Sequence, residues 1–130
     1  MEITFEQGKI VTAHLNGHVI KTDQLEKDGG ANSAPQPFEL FLASMGTCAG
    51  IYVKYFCDKR DIPTDNIKIL QHITTDEKTR LPSLIEFEIV VPEDFPKKYH
   101  RALINSAEMC KVKKTIENSP EFKTSLSLSK

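Results

Sequence analysis

The first third of the chain alternates apolar and polar residues in short runs, a pattern typical of antiparallel strands. Two runs, 10–15 and 18–22, flank Asn16-Gly17, and this pair favours a two-residue hairpin turn because both positions need a positive φ. A short strand over 2–6 is expected before them. Residues 23–37 are rich in Gly, Pro, Asn and Ser, and they predict a long loop that is either mobile or functional.

A long apolar helix is predicted from Pro37 to about residue 60. Pro37 suits the first helical turn, where a missing N–H costs nothing, and Glu39 suits the positive end of the helix dipole. Between 38 and 56 the clearly polar residues are few: Glu39, Ser44, Thr47 and Lys54. We expect no membrane span, because polar residues interrupt the run and it is short.

A helix that is apolar all round is buried all round. One small sheet can cover only one of its faces, so a second copy of the chain is expected to cover the other. The small residues Ala43, Gly46, Thr47 and Gly50 allow another helix to approach closely. The sequence therefore predicts a homodimer with this helix at its centre.

The remaining pattern predicts a strand pair, a helical region and a last strand. Runs 66–75 and 84–91 form the pair, 94–118 is helical with Asp94 as its N-cap, and 122–128 alternates like a final strand. The order is βββ-α-ββ-α-β. This predicts an α+β fold in a single domain over 1–130.

Charge and composition exclude several classes of partner. Lys and Arg number 17 and Asp and Glu 18, so there is no basic excess and nucleic acid is not an expected partner. No two of the three cysteines form a CxxC motif, and the four histidines lack the spacing of metal ligands. Neither a metal nor a cofactor is therefore expected. The N-terminus lacks a basic and apolar leader, so we expect a cytoplasmic protein.

The three cysteines differ in what they can pair with. Cys48 and Cys57 lie nine residues apart on one helix, roughly 13 Å along its axis, which is too far for a disulfide. Cys48 and Cys110 occupy the apolar faces of two helices that could meet, and they form the attractive pair. Burial as small apolar residues remains the alternative. Three lysines follow Cys110, and the sequence also suggests a helix break there. Both features would lower the pKa of a thiol, and the local charge nominates Cys110, not Cys48, as the easier thiolate.

Two segments resemble the cysteine motifs of the OsmC/Ohr family. Residues 34–48, APQPFELFLASMGTC, resemble its first-cysteine motif and follow a family-like Gly29-Gly30, while residues 107–116, AEMCKVKKTI, resemble its second. The resemblance implies an intertwined homodimer with central hydrophobic helices flanked by sheets from both chains. It also implies thiol peroxidase activity on small organic hydroperoxides, with Cys48 peroxidatic, Cys110 resolving and a dithiol as reductant.

Two positions depart from the family's pattern. The family's acidic residue directly follows the proline of the motif, whereas here Phe38 stands there and Glu39 comes next, turned by about 100° around the helix. Glu39 is therefore a candidate catalytic residue with a helix-capping role as the alternative. The family also stabilises its thiolate with an arginine from the N-terminal strands, and no arginine precedes Arg60. The open substitutes are Lys9, Lys21, His14 and His18.

Two functions follow from these observations. The first is thiol-dependent reduction of organic hydroperoxides in oxidative stress defence. The second is a non-enzymatic protein of the broad OsmC-like branch, which binds an apolar ligand or senses redox state. The missing arginine and the shifted glutamate motivate the second.

Overall fold

The computed structural model describes residues 1–129 and divides the chain into two compact units, Met1–Ser44 and Met45–Lys130. The fold is α+β, as predicted. Three helices carry the labels α1 (Pro37–Asp58), α2 (His100–Ala107) and α3 (Lys111–Glu117), and short 3-10 helices cover Glu26–Asp28 and Lys97–Tyr99. The single domain remains a prediction.

The first unit contains an antiparallel sheet of three strands: β1 (Glu2–Phe5), β2 (Val11–Leu15) and β3 (His18–Thr22). The predicted hairpin turn is confirmed, because Asn16 has a φ of 48° and Gly17 a φ of 81°. In the register, Leu15 pairs with His18 and Val11 with Thr22. The alternating pattern of the sequence was sufficient to place these strands.

The loop after β3 is organised around the buried carboxylate of Asp23. Its oxygens accept hydrogen bonds from the Ser33 hydroxyl at 2.6 Å and from the backbone N–H groups of Gln24, Ala31 and Ser33. Gly30 is required here, since a Cβ at this position would collide with the Gln24 carbonyl. The loop is thus held by a defined hydrogen-bond network.

Helix α1 begins and ends where the sequence predicts. It is also long and apolar enough to cross a membrane by length and composition, which contradicts the sequence argument that it is too short. One such helix is weak evidence, because the core helix of a soluble protein passes the same test. The boundary between the two units falls inside it.

The second unit pairs β4 (Lys68–Thr75) with β5 (Pro82–Val90) in an antiparallel ribbon. The predicted strand pair is confirmed with small shifts at its ends. The hydrophobic core of this unit combines the inner face of α1 with one residue of α2 and one of the loop before it. Its buried members are Val53, Phe56, Cys57, Phe95 and Leu103.

The predicted helical region over 94–118 is wrong in its beginning, whereas the helix break that the sequence suggests at Cys110 is confirmed. Phe95 is buried in the core, and its N–H closes a turn on the Pro92 carbonyl. Pro96 has a ψ of 116°, so helical structure begins only after it, and Asp94 is not an N-cap. A second interruption separates α2 from α3 at Cys110, whose backbone is not helical.

The predicted strand over 122–128 is also absent from the described residues. The segment has no strand assignment, and its apolar residues Phe122, Leu126 and Leu128 are about 90% exposed. Alternation favours a strand only where an edge is available to pair with it. Within the described part of the chain this segment pairs with neither sheet.

Candidate functional site

Helix α1 and the break before α3 bring Cys48 and Cys110 together in the second unit. Cys110 lies at the junction of α2 and α3 and is almost completely buried, while Cys48 is partly exposed. The two thiols lie close enough for each to shift the pKa of the other. Cys110 is also 3.8 Å from the carbonyl oxygen of Met45, one turn before Cys48. The predicted pair is therefore in contact, with both thiols free.

Hydrogen bonds from the chain after Cys110 favour the thiolate form of Cys48. The backbone N–H of Val112 has the largest effect and lowers the pKa of Cys48, although burial of the thiol opposes it. The Cys110 thiol, the backbone N–H of Lys111 and the charge of Lys111 act in the same direction as Val112. Cys48 is thus the more readily ionised thiol of the pair.

The pKa of Cys110 shifts in the opposite direction, upward. Burial raises the pKa of Cys110, and the neighbouring Cys48 thiol raises it further, although the backbone N–H of Lys113 donates to its sulfur at 3.4 Å. The nomination of Cys110 as the easier thiolate is therefore wrong. The backbone N–H groups of the residues that follow Cys110 lower the pKa of Cys48 instead, and sequence proximity does not reveal this.

Cys57 belongs to the core of the second unit and has no exposed surface. Burial raises the pKa of its thiol, and Asp58 adds to the effect. A buried, neutral thiol is chemically inert. The prediction that Cys57 is not part of the cysteine pair agrees with this buried environment.

Glu39 occupies the first turn of α1, in the first unit. Its carboxylate accepts a hydrogen bond from the backbone N–H of Gln36 at 2.8 Å, which is a helix-capping contact. This contact supports the helix-capping role, which the sequence left open as the alternative for Glu39. The catalytic role that the resemblance implies for Glu39 remains a prediction.

Two of the proposed substitutes for the family's arginine have local partners in the first unit. Lys21 forms an ion pair with Glu6 at 3.1 Å, and the ring of His14 hydrogen-bonds to the Thr4 hydroxyl at 3.0 Å. Sequence reasoning missed the groups that stabilise the Cys48 thiolate in the second unit, the backbone N–H groups at 111 and 112. The signal in the sequence was the group of lysines after Cys110. Their position next to Cys110 favours a lowered pKa for that thiol, whereas in the structure the charge of Lys111 lowers the pKa of Cys48.

A cavity of about 340 Å³ adjoins the Cys110 side of the pair. Apolar side chains of β5 and α2 form much of its wall, and Glu108 and Lys113 add charge. The remaining lining residues are Ala49, Ile85, Phe87, Ile89, Ile104 and Ala107. Among residues 1–129 there is no group of three or more His, Cys, Asp or Glu that could hold a metal ion.

Fold and site together define an α+β protein with a contacting pair of thiols. The family model for OsmC-like proteins matches residues 29–125, about three quarters of the chain and both cysteines of the pair. The chain therefore belongs to the OsmC-like family. No curated protein sequence matches it.

Solved structures agree on the fold. A protein from Psychrobacter arcticus 273-4, named for osmotic stress induction and a detoxification response, superposes with a TM-score of 0.72 at 19% identity, over 88% of this chain and 85% of that one. A second structure, from structural genomics, gives a TM-score of 0.65 at 20% identity, over 91% and 88%. The organic hydroperoxide resistance protein OhrB of Bacillus subtilis gives a TM-score of only 0.43 at 21% identity. That comparison covers 87% of this chain and 93% of the other.

Proposed function

We propose that this protein reduces small organic hydroperoxides with Cys48 and Cys110, in cytoplasmic defence against oxidative stress. The observation that carries the proposal is the position of Cys110 beside the helical turn of Cys48, with its sulfur 3.8 Å from the Met45 carbonyl oxygen. The lowered pKa of Cys48 supports it. Peroxide reduction needs a thiolate to attack and a second thiol within reach. The resemblance of both cysteine motifs to the OsmC/Ohr family supports the same chemistry.

The reaction divides into three steps. The Cys48 thiolate attacks the outer oxygen of the hydroperoxide, the O–O bond breaks, and the alkoxide leaves as an alcohol after taking a proton. The Cys110 sulfur, after losing its proton, then attacks the Cys48 sulfenic acid, water leaves and a disulfide forms. A dithiol reductant returns both cysteines to thiols by two exchange steps.

We also propose that the working form is a homodimer. In the second unit, α1 presents a face at i, i+4 spacing on which Ile51 is 41% and Tyr55 55% exposed. Large apolar side chains in one row mark an interaction surface more often than a solvated one. A second copy of the chain is the proposed partner.

The function is tested by titrating the reduced protein with cumene hydroperoxide, followed by intact mass and peptide mapping. We expect a loss of two hydrogens, a Cys48–Cys110 cross-link and one equivalent of cumyl alcohol for each equivalent of peroxide. The matched control is Cys57→Ala, which keeps the pair and should behave in the same way. Unmodified thiols after a stoichiometric addition would contradict the proposal.

The cavity beside Cys110 favours a second candidate function. A space of about 340 Å³ with apolar walls falls within the range of small-ligand sites, so the protein could bind an apolar ligand without turning it over. Native mass spectrometry of the purified protein distinguishes the two. A retained ligand together with peroxide-inert thiols would favour binding, whereas an empty protein that forms the disulfide would favour catalysis.

A further inference from the structure

The cavity beside Cys110 has apolar walls from two elements of the second unit. Strand β5 contributes three side chains at alternate positions, which therefore lie on one face of the ribbon: Ile85, Phe87 and Ile89. Helix α2 contributes Ile104 and Ala107, which are three residues apart and share one face of that helix. The volume of about 340 Å³ is near the lower end of small-ligand sites, so the cavity suits a compact ligand with an apolar body.

Two opposite charges line the same cavity. Glu108 directly follows α2, and Lys113 lies in the first turn of α3. Within residues 1–129, no ion pair joins Glu108 or Lys113 to each other or to any other side chain. Glu108 is exposed and Lys113 is half-buried, so both side chains can turn toward an incoming ligand. An acid and a base are therefore both available to a ligand that enters the cavity.

We propose that this cavity binds an apolar amino acid in its zwitterionic form. The α-ammonium group pairs with the Glu108 carboxylate, the α-carboxylate pairs with the Lys113 ammonium group, and the side chain packs between β5 and α2. The inference rests on the second proposed function, ligand binding, and it names the chemical class of the ligand. It does not depend on peroxide reduction.

The two charges select the zwitterion over simpler apolar ligands. An apolar carboxylic acid would pair with Lys113 but would bring a like charge toward Glu108, and an apolar amine would do the reverse. Like charges brought together oppose binding. An uncharged ligand would use only the apolar walls. The zwitterion gains two charge-assisted hydrogen bonds, which are stronger than those between neutral groups.

Isothermal titration calorimetry of the reduced, full-length protein tests the inference with L-phenylalanine and its capped derivatives. L-Phenylalanine should bind about tenfold tighter than N-acetyl-L-phenylalanine, which lacks the ammonium group, and than L-phenylalaninamide, which lacks the carboxylate. L-Alanine should bind weakly, because it has no large side chain to fill the apolar space. Equally tight binding of either singly charged derivative would overturn the inference.

The uncharged N-acetyl-L-phenylalaninamide separates this inference from the function on which it rests. If it binds as tightly as L-phenylalanine, the cavity takes apolar ligands without regard to charge, and the inference is overturned while ligand binding stands. If no aromatic probe binds, both the inference and the binding function are overturned. The peroxide titration reports on catalysis in either case.

Two variants test the role of each charge. Lys113→Gln should weaken binding of L-phenylalanine about tenfold without weakening that of L-phenylalaninamide, which has no carboxylate to pair. Glu108→Gln should weaken L-phenylalanine to a similar degree without weakening N-acetyl-L-phenylalanine. The matched control is Lys114→Gln, which removes a neighbouring positive charge outside the cavity lining and should bind like the wild type. An equal loss in Lys113→Gln and Lys114→Gln would overturn the inference, because net charge and not the site would then set the affinity.

Discussion

The backbone N–H of Val112 lowers the pKa of the Cys48 thiol, although the two residues lie on different helices and far apart in the sequence. This contact has the largest effect on the ionisation of Cys48. It comes from the same short segment that places Cys110 against Cys48. One segment therefore carries both Cys110 and the groups that lower the pKa of Cys48.

The pH dependence of Cys48 should follow its lowered pKa. Alkylation of Cys48 by iodoacetamide should reach its plateau at a lower pH than that of an ordinary thiol, whose pKa is about 8.5. Because the folded pKa lies below the unfolded one, the thiolate stabilises the fold above the unfolded pKa. This contribution is lost as pH falls through the folded pKa. Peptide mapping across a pH series measures the profile.

Cys57 is the internal control for this measurement. Its thiol is buried and its pKa is raised, so it should stay unmodified in the native protein throughout the series. If Cys48 titrated like a free thiol, the hydrogen bonds from the α3 segment would not be activating it.

Substitution of each cysteine should have a different consequence. Cys48→Ser should lower the rate of peroxide consumption by about a hundredfold or more, since no other thiolate is available to attack. Cys110→Ser should still react once, and Cys48 should then proceed to the sulfinic acid because no second thiol condenses with the sulfenic acid. Intact mass after excess peroxide distinguishes the two. Unchanged consumption by the Cys48 variant would contradict the assignment.

Glu39 should contribute to the helix more than to the chemistry. In Glu39→Gln we expect the rate of peroxide reduction to stay within about twofold of the wild type, because Glu39 accepts from the Gln36 N–H and a glutamine oxygen can do the same. A loss of tenfold or more, with an unchanged melting temperature, would restore the catalytic role that the family resemblance implies.

Asp23 should matter for the stability of the first unit. The hydroxyl of Ser33, together with backbone N–H groups, lowers the pKa of Asp23 to about 2. The stabilisation is therefore complete above the unfolded pKa of about 4 and is lost as pH falls through about 2. Asp23→Asn should lower the melting temperature at pH 7. Below pH 4 the melting temperatures of the variant and the wild type should come closer together.

The matched control is Asp28→Asn, in the same loop but exposed to solvent. It should leave the melting curve close to that of the wild type at every pH. A similar loss in both variants would mean that the loop responds to charge in general and not to the Asp23 network.

The exposed face of α1 should control oligomeric state. Ile51→Asp should convert the proposed dimer to monomer, since it places a charge in an apolar interface. Leu81→Asp is the control, because Leu81 is also exposed but lies in the connection between β4 and β5. Sedimentation equilibrium measures both. A wild-type monomer, or a dimer that survives Ile51→Asp, would contradict the predicted interface.

The sequence by itself determined the elements whose signals are local. The hairpin at Asn16-Gly17 required a positive φ at two adjacent positions, and the apolar run after Pro37 could only be a long helix. The motifs around Cys48 and Cys110 singled out the two cysteines that the fold brings together. Each of these depends on neighbours within a few residues, which a sequence displays directly.

Tertiary structure decided what depends on distant partners. The alternation over 122–128 favoured a strand, but a strand also needs a partner, and in the described chain this segment pairs with neither sheet. The lysines after Cys110 pointed to that cysteine, whereas in the fold the backbone N–H groups of Lys111 and Val112 lower the pKa of Cys48, and Cys110 is buried. Ionisation is set by the groups that surround a thiol in space, and only the folded chain brings those groups to Cys48.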